Sequence, residues 1–292
     1  MGEFFALATA IAWAIAVILF KKSGETVHPI ALNLFKNLLA IALFIPSIYI
    51  FGEILLRKAS ISDYSLLLIS GILGISLADT FYFIALNSVG AGVMAIVSCL
   101  YSPFIIALSM IFLGEKLAAA QLLGVAIIIS AVIFATYTRE GARSADGNLI
   151  KGILFGTLGT FANAVGVVMI KPILDTSPLV WISTYRILGG IAGLAIILIF
   201  LKDRSKIIST LKNRQSWGFT VSSSFMGAYL SMFLWLAGMK FTLTSIAAAL
   251  NQTSAIFIFV FAILFLKEKF SYRKSLGVVL AMIGVLLVTY AK

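Results

Sequence analysis

Cysteine and histidine are nearly missing: among 292 residues there is one of each, Cys99 and His28. A single cysteine excludes an intramolecular disulfide, and neither type is numerous enough for a thiol or imidazole metal cluster. Charge is scarce too, at 11% of residues, where a soluble domain carries about 25%. In water a chain this poor in charge would expose mostly apolar surface and aggregate. There is no glycine loop followed by Lys-Ser or Lys-Thr, no Gly-x-Ser-x-Gly elbow and no histidine-rich tract. No catalytic constellation emerges, and neither an enzyme nor a bound cofactor is expected.

What abounds is apolar: 61% of residues, with a mean hydropathy of +1.11. The charges clump at Lys21–Lys22, Arg57–Lys58, Lys202–Arg214 and Lys267–Lys274. Between the clumps lie apolar runs long enough to cross about 30 Å of hydrocarbon at roughly 1.5 Å per residue. They read as ten spans, near 4–20, 30–51, 64–86, 90–113, 118–137, 150–170, 179–201, 216–239, 243–266 and 275–291. Each exceeds the roughly 9–11 residues of a barrel strand, so the spans are helices. The expected fold is an all-α integral membrane protein with ten transmembrane helices, multi-pass in the plasma membrane. No basic stretch precedes the first span and no polar domain follows it, so it reads as a span rather than a signal peptide. The net charge of +11 is no nucleic-acid footprint. The basic residues sit in short loops, where they set orientation and meet lipid headgroups.

The chain repeats itself. Shifted by 153 positions, Gly74 falls on Gly227, Phe104–Ile105 on Phe257–Ile258, and Glu115–Lys116 on Glu268–Lys269. Leu123–Gly124–Val125 falls on Leu276–Gly277–Val278, and Thr136–Tyr137 on Thr289–Tyr290. Earlier in each half a shift of 150 pairs Lys21 with Lys171 and Lys36 with Arg186. The expected units are residues 1–140 and 148–292, five helices each. An odd number of crossings makes the second unit enter from the opposite side, so the halves are inverted repeats around a central cavity, an arrangement typical of transporters.

These features together resemble the EamA-type members of the drug/metabolite transporter superfamily. The stretches that carry the likeness are IALNSVGAGVMAIVSCLYSPFIIALSMIFLGEKL and its partner SIAAALNQTSAIFIFVFAILFLKEKF, with a cation inside the second helix of each half, Lys36 and Arg186. The resemblance covers nearly the whole chain. It implies secondary transport of small metabolites, often efflux of amino acids or related compounds, through a cavity formed by spans 1, 3, 4, 6, 8 and 9. Lys36 for the usual arginine, Ile256 opposite Pro103 and Lys267 opposite Gly114 depart from the pattern. Pro103 removes a helix hydrogen bond and would kink span 4. Its repeat mate is Ile256, so the halves are expected to bend differently there.

Ionisable residues in hydrocarbon are functional candidates by default. Asp79 lies deep in span 3, too short-stemmed to reach the interface, with Tyr82 on the same helix face. It reads as a site for a substrate ammonium group or a coupling proton, or as half of a structural ion pair with Lys36 or Arg186. Those two cations read either as carboxylate or phosphate ligands or as groups that snorkel or tie helices together. Repeat equivalence aligns Trp13 with Asn163, Tyr82 with Trp235, and Ser98–Cys99 with Asn251–Gln252. With Tyr101 and Tyr229 these polar and aromatic groups are the candidate cavity lining; ordinary packing and helix–helix hydrogen bonding are the alternatives. Glu115 and Glu268, at span ends beside lysines, read as gate or loop anchors. Glycines of spans 6 and 7 read as close helix contacts, and His28 as a loop histidine.

With Lys151 at the head of the sixth span counted in, the odd loops hold fourteen Lys and Arg, the even loops and C-terminus six. The positive-inside rule puts the odd loops in the cytoplasm and both termini outside, whereas the resemblance suggests cytoplasmic termini. Both place the termini on one side. The leading expectation is an exporter of an amino acid or amine working by alternating access, as monomer or homodimer, with a coupling proton or counter-substrate as a further partner. The alternatives are a carrier of organic or phosphorylated anions using Lys36 and Arg186, and a flippase of lipid-linked substrates or an accessory membrane subunit.

Overall fold

The computed structural model describes residues 2–113, 119–136, 147–174, 176–241 and 250–290, and every regular element among them is helical. The first half holds α1 (Gly2–Ser23), α2 (Pro29–Ile50) and α3 (Ile61–Gly71), which runs through a π turn (Ile72–Leu77) into α4 (Ala78–Ser98). Then come α5 (Tyr101–Leu113) and α6 (Ala119–Thr136). The second half holds α7 (Gly147–Val168), the single turn α8 (Lys171–Leu174), α9 (Leu179–Phe200) and the short α10 (Arg204–Ser209). It continues with α11 (Trp217–Ser224), a second π turn (Phe225–Leu230), α12 (Ser231–Phe241), α13 (Ser254–Leu266) and α14 (Tyr272–Tyr290).

Several of these are long and apolar enough to cross a membrane, among them α1, α2, α7 and α9. The outward faces of α5, α9 and α13 carry Ile111, Phe112, Ile199, Phe200 and Phe265, all more than half exposed. Water would not tolerate such a surface; lipid does. The continuous stretch Ile61–Ser98 is broken at Gly90, where φ is 81°. That backbone suits glycine because it has no Cβ, and the chain reverses there between two spans.

Element boundaries recur at fixed spacing. α2 and α9 begin 150 residues apart; the π turns, α5 with α13, and α6 with α14 begin 153 apart. The packing is reciprocal as well. α7 lies on α4 and α5, while α1 lies on α12 and α13; α9 lies on α3 and its π turn, while α2 lies on α11 and its π turn. α2 also meets α9, and α6 meets α14. Small residues permit the closest crossings. A Cβ on Gly190 would meet the Ile75 side chain at 2.6 Å, and one on Gly159 would meet the Ala78 carbonyl at 2.8 Å, so α9 and α7 press directly on the third span.

Span 4 does break near Pro103, at Cys99–Leu100, but the second half breaks at the equivalent Thr253 although no proline follows it. Both breaks share a tightened bond, Leu100 N–H to the Val97 carbonyl at 3.0 Å and Thr253 N–H to the Leu250 carbonyl at 3.1 Å, and in the second half the Thr253 hydroxyl adds a bond to the Leu250 carbonyl at 2.5 Å. The halves interrupt at the same place, the second without a proline.

The loops gather at two ends. At one, Lys21 Nζ donates to the Asn87 carbonyl at 3.0 Å and Asn87 Nδ2 to the Gly24 carbonyl at 3.1 Å. There too the hydroxyls of Thr26 and Ser216 bond each other, and His28 N–H donates to Thr210 Oγ1 at 3.1 Å. His28 caps α2, its Nδ1 accepting from Ile30 N–H at 3.3 Å, and burial lowers its pKa, which keeps that nitrogen unprotonated. Glu268 reaches the same end, accepting from Ala91 N–H at 2.7 Å and Gly92 N–H at 3.2 Å. It thus satisfies the first amides of the helical segment after Gly90. At the other end Glu53 accepts from Trp181 N–H at 3.0 Å, while Trp181 Nε1 and the Tyr185 hydroxyl donate to the Leu55 carbonyl at 3.0 and 3.1 Å. Each end ties one half of the chain to the other.

Candidate functional site

Asn33, Lys36 and Asn37 form a polar stripe on α2, since positions three and four apart share a helix face. The stripe faces the third span at its π turn. Lys36 Nζ donates to Asp79 Oδ2 at 2.6 Å. Lys36 is 7% exposed and the Asp79 side chain 22%, so the pair sits in low dielectric where the attraction is strong. Asn33 is fully buried, and its Nδ2 lies 2.9 Å from the Ile75 carbonyl, 3.1 Å from the Ser76 carbonyl and 3.0 Å from Thr80 Oγ1. Asn37 Nδ2 donates to Oδ1 and the carbonyl of Asn33, both at 2.8 Å. The sequence reading missed Asn33 and Asn37, although their spacing to Lys36 was the available signal.

Arg186, the repeat mate of Lys36, stands differently. Its Nε donates to Ser70 Oγ at 3.1 Å, and Ser70 donates onward to the Gly166 carbonyl at 2.5 Å. Among the described residues no carboxylate pairs with it; Asp79 and Tyr101 act on it only through space. The residue 153 positions after Asp79 is Met232, so the second half supplies the cation without the anion.

Around these charges the structure gathers some of the expected residues and not others. Trp13 on α1 packs against Tyr82 on α4, ring centres 6.1 Å apart. Asn163 Nδ2 on α7 donates to the Gly74 carbonyl in the π turn at 3.4 Å. Gln252 Nε2 donates to Ser102 Oγ at 3.0 Å across the two interrupted spans. Beside it, Asn251 Oδ1 is buried with no partner among the described residues. Tyr101 packs with Phe104 and Ile105 against Ala164 and Val168 of α7. Ser98 turns back on its own helix, donating to the Met94 carbonyl at 2.8 Å. Tyr229 and Trp235 sit in a separate apolar cluster with Phe44, Ile48 and Val180, where the Tyr229 hydroxyl bonds Ser47 Oγ at 2.9 Å. Glu268 lies at the bundle end described above, and Glu115 lies outside the described residues. No group of three or more His, Cys, Asp or Glu assembles among the described residues.

The arrangement offers one neutralised ion pair and one further cation at comparable helix depth, flanked by aromatic and amide groups. Such a set fits a small molecule with an anionic group and a cationic one.

Comparison with known proteins agrees with a transport role. The family described as "EamA-like transporter family" matches residues 1–137 and 150–290. An "Uncharacterized transporter" of Archaeoglobus fulgidus is 23% identical over 282 residues, covering 96% of this chain and 95% of that one. A solved structure titled "Crystal structure of protein" superposes with a TM-score of 0.67 at 18% identity, over 97% of this chain and 94% of that one. It speaks for the fold alone.

Proposed function

The chain belongs to the EamA-like transporter family, and from that premise we propose that it carries a small zwitterionic metabolite, an amino acid or close relative, outward across the cell membrane by alternating access. In this reading residues 1–140 and 148–292 are inverted five-helix repeats, ten crossings in all, and the polar face between them opens first to one side and then to the other. The two matched stretches, the recurring boundaries and the reciprocal packing support that division.

The observation that carries the substrate class is the imbalance between the halves. Lys36 has Asp79 beside it, whereas Met232 stands at the place equivalent to Asp79 and, among the described residues, Ser70 is the hydrogen-bond partner of Arg186. A carboxylate entering between Lys36 and Arg186 gives Arg186 an anionic partner and forms charge-assisted bonds. An ammonium group takes over Asp79 as Lys36 turns to that carboxylate, and Tyr82 and Trp13 offer their ring faces. A zwitterion adds no net charge: Asp79 takes the ammonium group, Lys36 and Arg186 share the one carboxylate, and every group faces an opposite charge while the set keeps its single surplus positive charge. The surplus cation also favours a second reading, an organic or phosphorylated anion that engages Lys36 and Arg186 and leaves Asp79 aside.

Purified protein heated in the presence of single compounds separates the two. Ligand at about a hundred times its Kd stabilises by about 2.7 kcal/mol, a readily measured shift in Tm. Small amino acids are expected to raise Tm in the wild type and not in Asp79→Asn, while simple amines and monocarboxylates do less. Stabilisation by phosphorylated metabolites alone, retained in Asp79→Asn, establishes the anion reading instead.

A further inference from the structure

Among the described residues, the backbone of the π turn ahead of Asp79 takes side-chain amides from other helices, whereas its counterpart is tied to another helix only through the Tyr229 side chain. In both turns a backbone amide reaches five residues back: Ala78 N–H donates to the Leu73 carbonyl, and Ser231 N–H to the Met226 carbonyl. A π turn takes in one residue more than an α turn, so it displaces all that follows by one residue, about 100° around the axis. It also disturbs the carbonyl ladder, and those carbonyls need donors. In the second half the donor is local: Ser231 Oγ bonds the Met226 carbonyl at 2.7 Å. In the first half the local Thr80 hydroxyl likewise donates to the Ser76 carbonyl at 2.6 Å, but three successive carbonyls also receive side-chain amides from other helices, Gly74 from Asn163 and Ile75 and Ser76 from Asn33. The repeat mates of Asn33 and Asn163 are Ser183 and Trp13, so the second half has no such amides. The clamp is confined to the turn followed by an acid.

We propose that Asn33 is a positioning residue for the transport site: its buried amide keeps Ile72–Leu77 in the π form, and that form turns Asp79 toward Lys36. Without the amide the turn relaxes to α geometry, and Asp79 rotates by about 100° off the ammonium. Asn37 serves at one remove by fixing the Asn33 side chain. The functional importance of the placement rests on the proposed function; the placement itself does not.

The test is a stability cycle on the full-length protein: wild type, Asn33→Leu, Asp79→Asn and the double variant, followed by Tm. Asn33 is bonded to the turn and to Thr80, not to Asp79, so a packing role alone makes the two losses add. If Asn33 sets the Asp79–Lys36 contact, Asp79→Asn lowers Tm less than half as much in the Asn33→Leu background as in the wild type. Additive losses overturn the proposal. If Asn33→Leu does not fold, Asn37→Leu takes its place in the same cycle, since it spares both amide bonds to the turn and frees the Asn33 side chain. The same criterion then decides. Transport is read in parallel: a cycle that couples while transport is indifferent to Asp79 refutes the proposed function and leaves the positioning role standing.

Discussion

At the scale of single residues, the proposed function gives the Lys36–Asp79 pair a part in recognition besides its part in stability, and the two come apart under mutation. Removing one partner of a buried pair strands the other charge, at a cost of about 3–5 kcal/mol. Since the Asp79 side chain keeps 22% exposure, Asp79→Asn is expected near the lower end, about 3 kcal/mol, visible as a clear fall in Tm. Replacing both partners by apolar residues, Lys36→Met with Asp79→Leu, strands nothing and restores much of that Tm. It does not restore amino-acid binding, because the ammonium then has no acceptor. A double variant that regains binding together with stability assigns the pair a purely structural role. The depth of both residues was legible in the sequence, but their partnership stood there only as one alternative. Depth follows from counting along a helix; facing does not, once a π turn adds a residue that no apolar period records. The same displacement explains Tyr229 and Trp235. Their depth matched the expected cavity, yet the second π turn and the packing of that turn and α11 on α2 place them in an apolar cluster with Phe44 and Ile48.

At the scale of elements, helix ends are supplied by the opposite half. Glu268, from the loop before α14, holds the first amides after Gly90, and a carboxylate at a helix N-terminus gains from both the bonds and the dipole. Glu268→Ala is expected to destabilise by about 1–2 kcal/mol and to raise hydrogen exchange at residues 91–94 before the rest of the bundle. Uniform exchange across the bundle contradicts a local capping role. Gly90 shows how far a sequence goes at this scale. The apolar runs placed one span's end near 86 and the next span's start at 90, and the reversal falls at Gly90 with φ of 81°. The identity of the cap was beyond reach, since Glu268 and Ala91 lie 177 positions apart. Pro103 marked the break in span 4, whereas no comparable residue marks the break at Thr253.

At the scale of the molecule, two similar bundles pack reciprocally, and the differences between them matter more than the likeness. The repeat delivers two cations at matching places, but only the first half adds an acid, a stripe of asparagines and a clamped π turn. Alternating access asks the two halves to exchange environments while the substrate stays bound, and a charge set assembled across both halves is positioned for that. Exchange across proteoliposomes tests this most directly, because trapped unlabelled substrate drives labelled substrate inward with no assumption about the coupling ion or the native direction. The wild type is predicted to accumulate labelled small amino acid against an excess of the same compound inside, and Asp79→Asn and Arg186→Gln to lose that accumulation while remaining folded. Wild-type vesicles that exchange no amino acid, or charge variants that exchange it as fast as the wild type, contradict the account.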